Sequence, residues 1–312
     1  METVNLFFSC DDNYIPFLGV ALTSLKENRD PSQRYCIRIL NTGLNPAYRE
    51  KLEQSFSEPA FSLQFCNISA QVSDYARQLH TRDYFSQSTY YRLFIPDMFP
   101  ELDKALYLDS DLAVLGNIAE LYDTELGDNL VGAVPDGAVA AIGPFRAYVE
   151  KRLQVKADHY FNAGILLMNL KAMREFQFQQ VFLELLDAVT FQVAQDQDYL
   201  NVICRDRAVY LGPEWNAMPN GAPVAEPKLI HYNLDSKPWH SDHVHYDQYF
   251  WDYAARSPFR QEVRQIRAGY SQADTAKSAA ETVNLIALAT RQAEDDQENR
   301  AIHAQIARVV HP

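Results

Sequence analysis

The chain has 312 residues, 47% hydrophobic and 22% charged, with a formal net charge of −13. So acidic a chain is poorly suited to duplex DNA, which rewards clustered Lys and Arg, and to the surface of anionic lipid. The 18 Tyr and 17 Phe argue against disorder and for one large core with an appendage, or two modest domains.

The elements alternate. Met1-Glu2-Thr3-Val4 lacks the basic region of a signal peptide. No apolar run is long enough to cross a bilayer, so a cytoplasmic, soluble protein is expected. Val4–Ser9 reads as a buried strand. Leu18, Leu22 and Leu25 then recur at helical spacing over Tyr14–Glu27. Tyr35–Leu40 is the next strand, and Asn45-Pro46 opens a helix through Leu52, with Asn as cap and Pro in the first turn. Phe61–Cys66 is a strand, followed by helices over Val72–Leu79 and Thr89–Met98. Ala105–Leu108, Leu130–Val134 and Gly164–Met168 are further strands. This β-α-β-α order predicts an α/β layer with a mostly parallel sheet, in which ligands bind beyond the carboxyl ends of the strands. From Tyr270 the chain turns Ala-, Gln-, Glu- and Asp-rich. Val283 and Ile286, then Ile302, Ile306 and Val309, fit one or two amphipathic helices packed on the main domain or a second subunit. Cys10, Cys36, Cys66 and Cys204 are widely spaced and read as reduced core thiols.

Asp109-Ser110-Asp111 follows the apolar strand. Residues i and i+2 of an extended chain share a side, so both carboxylates can reach one point. Such a point suits a hard divalent ion and a diphosphate. A plain surface turn uses the same residues, and the motif alone leaves both readings open. Ser9-Cys10-Asp11-Asp12-Asn13 also ends a strand, which favours the ion site.

Four more clusters bear on the chemistry. His231-Tyr232 with Lys237-Pro238-Trp239 offers an imidazole ligand and a cation for phosphate. Tyr160-Phe161-Asn162-Ala163-Gly164 reads as a turn into a strand, or as an amide for sugar hydroxyls. Asp196-Gln197-Asp198 reads as helix capping, or as a sugar-binding carboxylate beside a reactive-site amide. Arg92, within Thr89-Tyr90-Tyr91-Arg92-Leu93, seeks a carboxylate or phosphate partner.

In order and spacing these strings, together with Trp215-Asn216, resemble glycosyltransferase family eight over roughly residues 3–240. Within it the match is strongest to the retaining bacterial lipopolysaccharide and lipooligosaccharide galactosyl- and glucosyltransferases. The resemblance implies a GT-A fold, Rossmann-like, with a mostly parallel central sheet flanked by helices and a helical C-terminal tail. Residues 1–260 would form the catalytic domain and 261–312 the extension. It implies a UDP-galactose or UDP-glucose donor and a saccharide or glycoconjugate acceptor. Asp109, Asp111 and His231 would hold Mn²⁺ or Mg²⁺, with Lys237 on the phosphates. Asp11, Asn13 and Ser110 would contact the nucleotide. Arg92, Asn162 and Asp196 would grip the sugar, with Gln197 near its anomeric carbon. Leu234 stands where the family usually has Gly, a residue suited to positive φ.

Retention ordinarily suggests a carboxylate nucleophile, and Asp196 is the candidate. Gln197 is a poor nucleophile, which favours same-face attack by the acceptor hydroxyl while UDP leaves. Two alternatives remain: a non-catalytic UDP-sugar-binding protein, and an Asp-x-Asp phosphatase, whose nucleophile loop normally lies near the N-terminus.

Overall fold

The computed structural model describes residues 3–310 except 74, 76–78 and 80–86. Nine strands occur among these residues: β1 Thr3–Ser9, β2 Arg34–Asn41, β3 Phe61–Asn67, β4 Lys104–Leu108, β5 Leu112–Val114, β6 Val131–Pro135, β7 Phe161–Asn169, β8 Ala208–Tyr210 and β9 Leu229–His231. The fold is α/β, with mostly parallel strands flanked by helices and a helical C-terminal region. The chain separates into two compact units. The first comprises Met1–Ala70, Ala105–Glu125 and Gly212–Ser278; the second comprises Gln71–Lys104, Leu126–Leu211 and Ala279–Pro312.

In the first unit, β1 pairs in parallel with β2 on one side and β4 on the other, and β2 pairs in parallel with β3. Leu6, Phe7 and Phe8 are wholly buried, as expected for a strand covered on both faces. Helix Ile15–Asn28 is buried continuously from Ile15 to Leu25. Gly19 lets the Phe259 ring approach: a Cβ there would lie 2.3 Å from its Cδ2. The Trp239 ring stacks on Phe17 with centroids 3.8 Å apart, so the Lys237-Pro238-Trp239 segment is pinned to this helix by buried aromatic area. β5 and β9 form a separate antiparallel ladder pairing Leu112 with His231.

In the second unit, β6 runs antiparallel to β7 and parallel to β8. Helix Asp196–Cys204 packs on β7, helix Phe178–Ala188 packs on Asp196–Cys204, and the C-terminal Asp296–Val310 packs on Phe178–Ala188. Ile302, Ile306 and Val309 form the buried face of that last helix, whereas Val283 is 65% exposed and lies off any buried face.

Most predicted elements occur, with three differences. Asn162 and Ala163 lie inside β7 rather than in a turn before it. The expected helix over Thr89–Met98 is a 3₁₀ segment, Gln87–Phe94, followed by one α-turn, Ile95–Met98, which begins just before Pro96. A short helix, Ser69–Val72, ends where the predicted Val72–Leu79 helix begins, and half of that predicted span lies outside the described residues. No helix among the described residues is long and apolar enough to cross a membrane.

Candidate functional site

The first unit gathers one set of the expected residues. β4 ends at Leu108. The next residues alternate as an extended chain must: Ser110 turns inward, its hydroxyl donating to Ser9 O at 3.1 Å, while Asp109 and Asp111 point to a common side. Ser110 thus ties the end of β4 to the end of β1, and its hydroxyl serves this tie. Asp111 O accepts from Tyr232 N at 2.9 Å, and the β5–β9 ladder sets His231 beside the two carboxylates. His231 Nε2 lies 3.3 Å from Asp111 Oδ1 and 3.6 Å from Asp109 Oδ2. One ligand atom from each of the three residues falls within 4.8 Å of the others. His231 Nδ1 is 3.2 Å from Asn216 Oδ1, an amide acceptor, so Nδ1 carries a hydrogen and Nε2 is the nitrogen turned to the carboxylates. Two carboxylates and a neutral imidazole nitrogen form a donor set that fits Mn²⁺ or Mg²⁺.

Lys237 is 1% exposed. Its ammonium donates to Asp111 Oδ2 and to Tyr232 O, and lies 5.7 Å and 5.3 Å from the Tyr14 and Trp239 ring centroids. Burial pushes the Asp111 carboxyl up, but Lys237 and His231 together outweigh it and hold Asp111 well below the usual carboxylate range. Asp11 Oδ1 accepts from Asn13 N and Tyr14 N at 3.0 and 3.2 Å, an Asx turn that leads β1 into helix Ile15–Asn28 and leaves the Asn13 side chain exposed. The Asp11 and Asp109 clusters therefore lie beyond the carboxyl ends of neighbouring parallel strands, β1 and β4. Leu234 adopts φ +51°, so the left-handed turn that Gly would favour is formed with Leu.

The second unit gathers the rest. Asn162 Nδ2 donates to Asp136 Oδ2 and to Gln197 Oε1, both at 3.3 Å. Gln197 Oε1 also accepts from Ala163 N at 2.9 Å, and its Nε2 donates to Asp136 Oδ2 at 3.3 Å. The Gln197 amide is thereby fixed in direction. Asp196 begins helix Asp196–Cys204 and is 4% exposed. Its partner is Arg92, 3% exposed, whose Nε stands 3.2 Å from Asp196 Oδ2 while donating to Thr89 O; Nη1 donates to Ala163 O. The wholly buried Asp198 carboxylate accepts from Tyr148, Tyr160 and Ala194 N at 2.7–2.9 Å. This anchors the start of the helix. Burial first, and then Asp198, push both phenols well up, so they remain donors.

The sequence reading gave no role to three residues. Asp136 braces Gln197 and Asn162 while its other oxygen caps Ala138 N and Val139 N; its signal was an Asp directly after a strand. Asn216 orients His231. Gln195, 2% exposed, sits at φ +51°, ψ −118°, a Gly-favoured conformation just ahead of Asp196.

Residues 5–243 match the family model described as Glycosyl transferase family 8. General stress protein A of Bacillus subtilis (strain 168) is 25% identical over 80% of this chain and 92% of its own length. Lipopolysaccharide 1,3-galactosyltransferase of Salmonella typhimurium (strain LT2) is 24% identical over 83% of this chain and 80% of its own. Among solved structures, the apo form of the bifunctional glycosyltransferase WbbM superposes with a TM-score of 0.74 at 30% identity, covering 85% of this chain and 51% of that one. The galactosyltransferase LgtC, in complex with donor and acceptor sugar analogues, gives 0.67 at 27% identity, covering 81% and 96%.

Proposed function

Because this chain belongs to glycosyltransferase family 8, we propose that it is a metal-dependent retaining hexosyltransferase using UDP-galactose or UDP-glucose. Its acceptor would be a saccharide or glycoconjugate, as in the assembly of lipopolysaccharide or another cell-surface glycan. The observation that carries this reading is the Asp109–Asp111–His231 cluster beside the buried Lys237 ammonium.

Asp109, Asp111 and His231 would hold Mn²⁺ or Mg²⁺, a Lewis acid that offsets negative charge on a departing diphosphate. Asn216 keeps His231 Nε2 turned toward the carboxylates, where its lone pair would be given to the metal. Lys237 adds fixed positive charge in a water-poor setting, where it acts more strongly than at the surface. Asp11 and Asn13, beyond the end of β1, are assigned to the uridine, and Ser110 acts through the backbone it ties down. Arg92, Asn162 and Asp196 are assigned to the donor sugar.

Gln197 has an amide oxygen already accepting from Asn162 and Ala163. That supports a role as an oriented dipole rather than a nucleophile. The acceptor oxygen then bonds to the anomeric carbon on the face from which the diphosphate oxygen leaves, and the leaving phosphate oxygen takes the hydroxyl proton. Asp196 as nucleophile is disfavoured by its buried contact with Arg92. We further propose a cytoplasmic enzyme, with residues 1–260 catalytic and 261–312 a packing extension that could join two subunits.

The test is a panel of UDP-sugars in differential scanning fluorimetry, with and without Mn²⁺. A donor at a hundred times its Kd stabilises by about 2.7 kcal/mol, so one UDP-hexose raises the midpoint only when metal is present. No shift with any UDP-sugar, and no UDP release with Mn²⁺, overturns the proposal.

A further inference from the structure

Within the second unit, three strands bring chemistry to one end of a sheet. β6 lies between β7 and β8, with Pro135 paired to Phe161 and Ala133 to Tyr210. Because β6 is antiparallel to β7 and parallel to β8, the exits of β6 and β8 share an edge with the entry of β7. Asp136 follows β6, Asn162 opens β7 and Tyr210 closes β8. Asp136, Asn162 and Gln197 are already joined at this edge by hydrogen bonds. Tyr210 stands two strand spacings from β7, about 10 Å along the same edge.

Tyr210 is 37% exposed, and only it and Val283 are large hydrophobic side chains so open to solvent among the described residues. Its ring meets His159 with centroids 4.9 Å apart and planes at 34°. His159 lies three residues before Asn162, so the loop that enters β7 carries one ring and the end of β8 the other. An aromatic body with one face wet and a polar tip is built for a ligand that is apolar on one side and hydroxylated at its rim. A pyranose has that form, with C–H bonds on its face and hydroxyls around it. The exposed Asp158 and Asp206 carboxylates supply acceptors near the rim. Burial, then Asp206 and Asp158, push the Tyr210 phenol up, so it stays a neutral donor. Arg205 Nε lies 3.5 Å from Asp206 Oδ2 and offsets that charge, which leaves the exposed Asp158 carboxylate to disfavour a phosphate or a uronate at this rim.

We propose that His159 and Tyr210 form a stacking platform for a neutral hexose of the acceptor, set back from the residue that receives the new sugar. The platform extends the glycosyltransferase reading above and rests on it.

The experiment is ligand-observed saturation-transfer NMR on the full chain with lactose, maltose, cellobiose and a glucuronate-containing disaccharide. Wild type, Tyr210→Ala and Tyr210→Trp are compared, and UDP-galactose and UDP-glucose binding with Mn²⁺ is measured for each. At least one neutral disaccharide binds the wild type, weakens roughly fivefold in Tyr210→Ala, the scale of one aromatic contact, and is restored by Tyr210→Trp. The glucuronate disaccharide binds less well, and UDP-sugar binding is equal in all three proteins. The platform is overturned if no neutral disaccharide gives a signal, if the signal survives Tyr210→Ala undiminished, or if Tyr210→Ala weakens the UDP-sugar instead. No disaccharide signal in the wild type, with its UDP-sugar binding intact, removes the platform alone; absence of UDP-sugar binding in wild type removes the glycosyltransferase reading as well.

Discussion

Replacing Lys237 by Met removes the cation that Asp111 faces while keeping an unbranched side chain. Both residues are buried, at 1% and 7% exposure. Breaking a buried ion pair from one side costs about 3–5 kcal/mol, because the remaining charge is left uncompensated. Here His231 Nε2, 3.3 Å from the same carboxylate, compensates in part, which favours the lower end. Tyr232 O also loses a donor, worth about 1 kcal/mol. A total of roughly 3–4 kcal/mol lowers the melting midpoint by about 6–16 °C, at 2–4 °C per kcal/mol for a unit of this size. The assay is unusually specific, since Trp215, Trp239 and Trp251 all belong to the first unit. Tryptophan fluorescence in chelator therefore follows that unit alone. The double variant Lys237→Met/Asp111→Leu, which leaves no orphaned carboxylate, regains at least half of the loss. A fall under about 3 °C, or a double variant less stable than Lys237→Met, refutes the reasoning.

Four further outcomes are expected. Asp109→Asn abolishes both transfer and the Mn²⁺-dependent midpoint shift with UDP-sugar; activity that persists in chelator sinks the metal reading. Gln197→Ala binds donor almost normally but turns over about 100-fold more slowly, the scale of one lost oriented dipole; wild-type UDP release would remove it from the site. In Leu234→Gly, relief of about 1–2 kcal/mol of left-handed strain offsets the lost side chain and added chain entropy. Its stability stays within about 1 kcal/mol of wild type, whereas Leu234→Val loses more; the reverse order contradicts the backbone argument. His240 stacks on Tyr270, and burial followed by Lys237 pushes its pKa down from 6.5 to about 4. Between those values the unfolded chain takes a proton that the folded chain refuses, so stability falls as pH drops through that window. His240→Phe flattens the dependence of the fluorescence midpoint on pH between 7.5 and 5, and an unchanged slope refutes the assignment.

The strands of the first unit were legible because buried parallel strands are short apolar runs with clear ends, as in Val4–Ser9 and Phe61–Cys66. The Asn45-Pro46 start was legible for a local reason, and Asn45 Oδ1 does cap Ala47 N at 3.0 Å. The Asp109, Asp111 and His231 cluster was legible in composition but not in geometry. Its closure depends on the three-residue ladder of β5 with β9, too short to leave a periodic signal. Asp136 went unnoticed, and Asn216 was quoted within Trp215-Asn216 but given no role, because each works through another side chain. The 3₁₀ character of Gln87–Phe94 was hidden as well, since the aromatic spacing of Tyr90, Tyr91 and Phe94 suits either helix.

The way the chain interleaves its two units bears on its synthesis. Each unit is assembled from three separated stretches, and the chain passes from one unit to the other five times. Asp111 and Lys237 lie 126 residues apart. At about 5–20 residues per second on the ribosome, Asp111 emerges roughly 6–25 s before its partner. Throughout that interval β1 to β4 can pair, yet the carboxylates at their ends have neither imidazole nor ammonium to face. A nascent or truncated chain that stops short of the 231–237 segment carries the strands without the charges that balance them. Such a product is a natural substrate for chaperones and proteases, and protein quality control then acts as a proofreader of this site before any sugar reaches it.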